Sequence, residues 1–236
     1  MSQFENWLFK SPVQRVAEFT ELTSNLMPKN IQRILDVGCG NGLLLSHLNR
    51  VFPNAYLVGV DISEPNIRAA KATFADMSES LTFVVADYLK YAAKPNDLIV
   101  SYSTLNLIPI DSGTLLKKIS DDLVTGGLII TSMPYDCLHN RFVIVFRRML
   151  ASMRCNLTNR LIYTIGRLLC ASDVSNEQII QNIDYMYIVP THLDGKVFRE
   201  IAKKFDLSVI DSQKEKSSSF VKLKYKVIVM QKSNPK

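Results

Sequence analysis

The nine residues Ile34-Leu35-Asp36-Val37-Gly38-Cys39-Gly40-Asn41-Gly42 constrain the chain more than any other stretch. A β-branched, apolar run ends at Gly38, and glycines stand at alternate positions. Leu43, Leu44, Leu45 and Leu48 then take up helical spacing until Pro53. The pattern predicts a buried strand that turns tightly into a helix. Glycine lacks a Cβ, so the backbone can turn and approach a ligand closely while the helix N–H groups point at it. The expected occupant is nucleotide-like.

The glycine spacing narrows the choice. Dinucleotide-binding turns favour G-x-G-x-x-G, whereas this turn is G-x-G-x-G with an acid, Asp36, two residues before the first glycine. That spacing disfavours a hydride-transferring dehydrogenase. The stretch resembles motif I of the class I, Rossmann-like S-adenosylmethionine-dependent methyltransferases at every position. In that resemblance Asp36, Gly38, Cys39, Gly40 and Gly42 line the cofactor.

Successive strands add to it. Ala55 to Val60 is a second apolar run closing at Asp61, 21 residues after Gly40. An acid about 20 residues past the glycine turn, at the end of the next strand, can accept both ribose hydroxyls of an adenosine. The alternative role for Asp61 is to cap the helix that starts near Glu64, for which Ser63 is the better residue. The resemblance sets Ile62 against the adenine ring. Leu81 to Ala86 is followed by Asp87 and Tyr88, which look like the family's motif II, where a carboxylate accepts from the adenine amino group. The strand Asp97 to Ser101 leads into Tyr102-Ser103-Thr104-Leu105-Asn106-Leu107-Ile108-Pro109, the motif IV position near the reacting methyl. Ser101 joins the expected cofactor residues. This segment has neither the Pro-Pro-aromatic pattern of base-amine methyltransferases nor a nucleophilic cysteine, which lowers a nucleic-acid reading. A helix from Asp111 with Leu115, Leu116, Ile119 and Leu123 follows, then a Gly126-Gly127 turn and the strand Leu128 to Thr131.

This alternation predicts an α/β fold: a seven-stranded, doubly wound sheet, mostly parallel with the last strand antiparallel, and helices on both faces. At 236 residues with 47% hydrophobic content the chain suits one domain with an insertion. The expected organisation is an N-terminal helical lid over 1–30, a core over 31–133 and 191–230, a helical substrate cap over 134–190 after strand 5, and a tail over 231–236. In the lid, Ser11 and Pro12 open an amphipathic helix. Trp7 and Phe9 either close over the cofactor or pack the helix onto the sheet.

The cap carries the charge. Between 134 and 175 stand six arginines, no lysine and two acids, in a chain of net charge +6. Helices are expected over Arg141 to Ala151 and Thr158 to Ala171. Arg141 and Arg148 are seven apart, as are Arg160 and Arg167, so each pair shares a helix face. The arginines have four readings: a solvated or salt-bridged lid, recognition of an anionic substrate or acidic carrier protein, a seat on an anionic membrane through 141–171, or RNA contact.

The cysteines, Cys39, Cys137, Cys155 and Cys170, form no C-x-x-C pair, so neither zinc nor a disulfide framework is expected, and no metal is assigned. The N-terminus reads as leaderless and no apolar run is long enough to span a bilayer, which suggests a cytoplasmic protein, peripheral at the membrane at most.

The resemblance implies an enzyme that uses S-adenosyl-L-methionine and releases S-adenosyl-L-homocysteine. Its acceptor is expected to be small or carrier-tethered, partly hydrophobic and anionic, and methylated on oxygen. Nucleic acid is the less favoured partner. The alternatives are an RNA or protein methyltransferase, or an inactive cofactor-binding subunit. A base is useful for most oxygen or carbon acceptors. His139 and His192 flank the cap and are the catalytic candidates with Tyr102. Tyr135, Arg141, Arg148 and Tyr185 are the candidates for the acceptor.

Overall fold

A computed structural model of the chain describes residues 13–27, 30–77, 79–169, 183, 187–215 and 222–234. Its centre is β1 (Arg33–Val37), where Ile34, Leu35 and Val37 are all wholly or almost wholly buried. A strand apolar on both faces needs cover on both sides, which is how parallel sheets are built. Ile34 enters a cluster with Phe19, Leu45, Leu48 and Ile67, and its neighbour Leu35 enters the opposite one with Leu115, Leu116, Ile119 and Phe198. The first layer comes from α1 (Val13–Leu26), α2 (Leu43–Val51) and α3 (Glu64–Thr73). The second comes from α4 (Ser112–Asp121) and α7 (Lys196–Lys203).

The sheet has seven strands in the order β3-β2-β1-β4-β5-β7-β6. The strands β2 (Tyr56–Asp61), β3 (Leu81–Val85), β4 (Asn96–Tyr102) and β5 (Leu123–Pro134) run parallel to β1, as expected. The last strand, β7 (Tyr225–Lys232), is antiparallel to both neighbours, β5 and β6 (Leu207–Lys214). Strand order reverses between β1 and β4, and the carboxyl ends on either side of such a point form the ligand crevice of open α/β sheets.

Local chemistry fixes the helix starts. Ser63 accepts from the Asn66 amide at the head of α3, and Asp111 accepts from Thr114 at the head of α4. The expected turn at Gly126-Gly127 is instead an irregularity inside a longer strand. Asn96 pairs with Leu123 but Leu98 pairs with Leu128, so the extra residues loop out, with Gly126 at φ +81°. Strand β7 also runs to Lys232, inside the expected tail, and Lys232 Nζ donates to the carbonyls of Ser120 and Leu123.

The cap begins with α5 (Leu138–Ser152) and α6 (Asn156–Leu169). Both start earlier than expected, which puts His139 inside the first turn of α5. The N-terminal helix runs over 13–26 and packs its Val16 and Phe19 on the core, while Trp7, Phe9, Ser11 and Pro12 lie outside the described residues, as do Tyr185 and Cys170. Among the described residues no helix is long and apolar enough to cross a membrane, and no group of side chains could hold a metal ion.

One side chain joins cap to core. Asn140 is fully buried; its Nδ2 donates to the carbonyls of Tyr135 and Lys224 at 2.7 and 2.8 Å, and its Oδ1 accepts from the Lys224 amide at 2.8 Å. Asn140→Ala leaves the Tyr135 carbonyl and the Lys224 amide without these partners, while the Lys224 carbonyl still accepts from Tyr135 N–H. Urea unfolding should show a loss of about 2–4 kcal/mol, given about 1–3 kcal/mol for each buried group left unsatisfied.

Candidate functional site

The glycine turn is squeezed from two sides. Gly38 has φ +76° and its N–H donates to the Val60 carbonyl at 2.7 Å, pinning the turn to β2. A Cβ there would lie 2.2–2.5 Å from the Thr104 side chain, beyond the end of β4. At Gly42, φ +80°, it would lie 2.5 Å from the Phe83 ring. Neither position admits a side chain without moving a neighbouring strand. No side chain caps α2, so its first amides stay open to a ligand.

Two carboxylates stand behind the turn. Asp61 accepts from Gly40 N–H through Oδ2 at 2.9 Å and from Ser63 N–H through Oδ1 at 2.8 Å. Burial raises its carboxyl above the usual range although these bonds and Asn66 oppose the rise. Each oxygen keeps a further lone pair for an incoming hydroxyl. Asp36 is buried with no partner on either oxygen. Burial first, and then the charge of Asp61, push its carboxyl well above the ordinary value. A buried carboxylate left this way is costly unless a cation or donor arrives. Cys39 lies beneath, its thiol pushed up by burial and then by both acids.

The remaining cofactor candidates divide. Ile62 is half-buried beside Asp61, and Asp87, at the end of β3, accepts from Leu89 N–H at 3.0 Å while staying partly exposed. Tyr88 and Ser101 are engaged elsewhere. The Tyr88 ring is buried in the layer under α4, with Lys118 Nζ 4.9 Å from its centroid. The Ser101 hydroxyl is buried and donates to the Val37 carbonyl, tying β4 to β1.

The catalytic and acceptor candidates are rearranged more. His192 is buried, its Nε2 facing the Ile108 carbonyl at 3.1 Å and its Nδ1 facing Ser112 Oγ at 3.0 Å. Both nitrogens are occupied, and burial lowers its pKa. His139 Nε2 meets the Lys222 carbonyl at 3.0 Å, so it pins the loop before β7. Tyr135 stacks under Lys226, 4.7 Å from the ring centroid, on the sheet face opposite to Tyr102. Arg141 is held bidentately by Asp136, at 2.6 and 2.7 Å, beside an open depression of about 500 Å³ that Leu193 and Lys196 also line. Arg148 points outward. Only Tyr102 lies where a reacting group is expected, at the carboxyl end of β4, with its ring edge-on to Phe19 and its hydroxyl pushed up to about 12 by burial first and the Glu215 charge next.

Around Tyr102 the structure assembles residues that sequence did not single out. Glu215 follows β6, accepts a short hydrogen bond from Ser132 Oγ, and its carboxyl is raised chiefly by burial. Tyr225 opens β7, and its backbone carbonyl accepts from Glu215 N–H. Asn106, wholly buried, makes no well-formed side-chain hydrogen bond and lies beside the Tyr225 hydroxyl. From the cap, Arg147 faces inward toward Tyr225. It donates through Nη1 to the Ile188 carbonyl at 3.0 Å, while its Nε is buried without a partner. The signal for Arg147 was present in the sequence: it lies about 180° around the helix from Leu138 and Met149, on the side of Val143 and Leu150. Glu215 had none, since only strand pairing brings it to Ser132.

Residues 34–127 match the family model described as a methyltransferase domain. The chain is 32% identical over 136 residues to carboxy-S-adenosyl-L-methionine synthase of Nitratiruptor sp., covering 56% of each chain. It is 31% identical over 117 residues to trans-aconitate 2-methyltransferase of Mycobacterium tuberculosis, covering 49% of this chain and 42% of that one. The chain thus spans about half the length of the curated relatives it matches. Among solved structures, the N-methyltransferase NodS of Bradyrhizobium japonicum in complex with S-adenosyl-L-homocysteine superposes with a TM-score of 0.60 at 13% identity, over 96% of this chain and 91% of that one.

The buried acids make a pH prediction. The folded pKa of Asp36 lies above its unfolded value, so the folded state holds the proton more tightly and stability falls as pH rises from about 4 through the raised folded pKa. Asp36→Asn removes this contribution. Thermal unfolding of the ligand-free protein should show the variant more stable than the parent at neutral pH, with the gap closing as pH falls toward 4.

Proposed function

We propose that this class I, Rossmann-like methyltransferase domain transfers the methyl group of S-adenosyl-L-methionine to a small or carrier-tethered acceptor, partly hydrophobic and anionic, and does so on oxygen. The observation that carries the cofactor half is the unpartnered Asp36 carboxylate behind a turn too tight for any side chain. A cofactor with an ammonium and a sulfonium is the kind of cation that offsets such a buried charge. The residues present therefore fit the group. Asp61 would hold the ribose hydroxyls, Ile62 would lie along the adenine, Asp87 would accept from the adenine amine, and Gly38 to Gly42 would give the backbone access.

The bound cofactor supplies an activated methyl and a neutral leaving group. The protein's remaining tasks are to align the acceptor and take its proton. Arg147 is the favoured anchor for an anionic acceptor, because its Nε is buried without a partner at the inner face of the cap. It replaces Arg141, whose guanidinium is already committed to Asp136. Glu215 is the favoured base. Desolvation holds its carboxyl above the usual range, which moves it toward the pKa useful for proton transfer near neutral pH. Ser132 orients it and Tyr102 flanks it. Phe19, edge-on to Tyr102, supplies an apolar wall. The trans-aconitate 2-methyltransferase among the relatives is named for a small anionic acceptor, in keeping with this reading.

Incubating the protein with methyl-labelled S-adenosyl-L-methionine and a cell extract tests the whole: label is expected in small organic molecules or on a small carrier protein, and label in RNA would overturn the acceptor class. Calorimetry with S-adenosyl-L-homocysteine should show Asp61→Ala weakened by about 1–3 kcal/mol, the worth of hydrogen bonds to a charged group. Glu215→Gln should leave that affinity unchanged and slow turnover by roughly 10²–10⁴-fold. The parent's rate should fall as acidification protonates Glu215, and the variant should lose that limb.

A further inference from the structure

The cap helix α5 is apolar on two sides. Val143, Ile144 and Leu150 face inward. Leu138, Phe142, Val145 and Met149, spaced four, three and four apart, fall within about 60° of one another on the outer side. They are 85%, 71%, 64% and 48% exposed. Met153, in the turn after α5, and Leu157 and Leu161, on α6, continue the exposed apolar series at 49%, 75% and 54%. Lone exposed apolar residues are ordinary on a soluble surface, but a run of seven exposed ones over 24 residues is denser than that and is of the kind that marks an interaction site.

Charge says what covers it. From 137 to 169 there is no Asp or Glu, and six arginines are interleaved. Arg148, about 90° from the centre of the α5 stripe, and Arg160, about 80° from the centre of the α6 pair, are exposed on the flank and enter no ion pair among the described residues. Arg154 lies over the Tyr187 ring at 4.6 Å. A second copy of the same surface would bring arginine against arginine, since the stripe has no acid to answer them. Apolar side chains flanked by cations on a helix exterior match a bilayer whose headgroups are anionic.

We propose that the outer faces of α5 and α6 seat the protein on an anionic lipid surface, with Phe142, Met149 and Leu157 in the acyl boundary and Arg148 and Arg160 at the phosphates. The surface is independent of the inward-facing Arg147, and the inference does not rest on methyl transfer.

The test is co-sedimentation of the full chain with phosphatidylcholine vesicles, with and without phosphatidylglycerol. Binding is expected only when phosphatidylglycerol is present, and should weaken as salt is raised. The double variant Phe142→Glu, Met149→Glu should lose at least tenfold in binding while its circular dichroism and thermal midpoint match the parent. Arg148→Gln and Arg160→Gln should each cost about fivefold, the effect of one cation near an anionic surface. The proposal is overturned if the protein stays in the supernatant with both vesicles, or if the glutamates leave sedimentation unchanged. Light scattering that shows a dimer which Phe142→Glu dissociates would assign the stripe to a second copy instead.

Discussion

A carboxylate inside a parallel sheet is the constraint around which this molecule is arranged. Asp36 sits on β1 between Gly59 of β2 and Val100 of β4, where water does not reach and no donor meets it. Free energy is lost by placing it there, and the same burial makes it a strong attractor for a cation. Beside it Gly38 and Gly42 let the turn pack directly against Thr104 and Phe83, and α2 starts without a side-chain cap. Asp61 fixes the turn through the amides of Gly40 and Ser63.

The same strand end serves two regions that differ in character. On the β1–β2–β3 side the groups are carboxylates and backbone amides, suited to a ribose, an amine and a cation. On the β4–β5–β7 side stand Tyr102, Glu215, Tyr225 and Arg147, with Phe19 against them, suited to an acceptor with a proton to lose and a charge to hold. On that side the charge of Glu215 raises the Tyr102 hydroxyl in addition to the effect of burial, and Glu215 itself is raised by burial and then by Glu18. Arg15 of α1 opposes both shifts, which makes the N-terminal helix part of the site's electrostatics.

What was legible in the sequence was what is local. Strand, turn and helix at 34–48 need only consecutive residues, because glycine sterics and helical spacing act over a few positions, and the parallel order follows from alternation. Asp61 and Asp87 could be placed because each follows its own strand. The misassigned residues depend on pairing over long separations. Ser132 and Glu215 are 83 apart in the chain and meet only because β7 lies between β5 and β6. His192 looked free until Ser112, 80 residues away, and the Ile108 carbonyl took both its nitrogens. Tyr88 was misread for a simpler reason: a residue just past a strand end can point to either face, and here it turns to Lys118 of α4.

The cap arginines show why charge in sequence does not specify its use. Arg141, Arg147 and Arg148 lie within eight residues of one helix, yet the helix rotation of about 100° per residue sends them to three environments. Arg141 meets Asp136 in a fork that satisfies it. Arg147 is carried under the helix, where burial lowers its pKa and its Nε is left for a partner yet to come. Arg148 stays on the flank of the outer stripe. A helix that buries one apolar face on the core and presents a second one outward can serve both sides at once, and Asn140 fixes which face is which by bonding to Tyr135 and Lys224. Rotating α5 by one residue would bring Arg148 to the inner position of Arg147 and carry Arg147 away from Tyr225, so Asn140, by holding the orientation, decides which guanidinium faces inward.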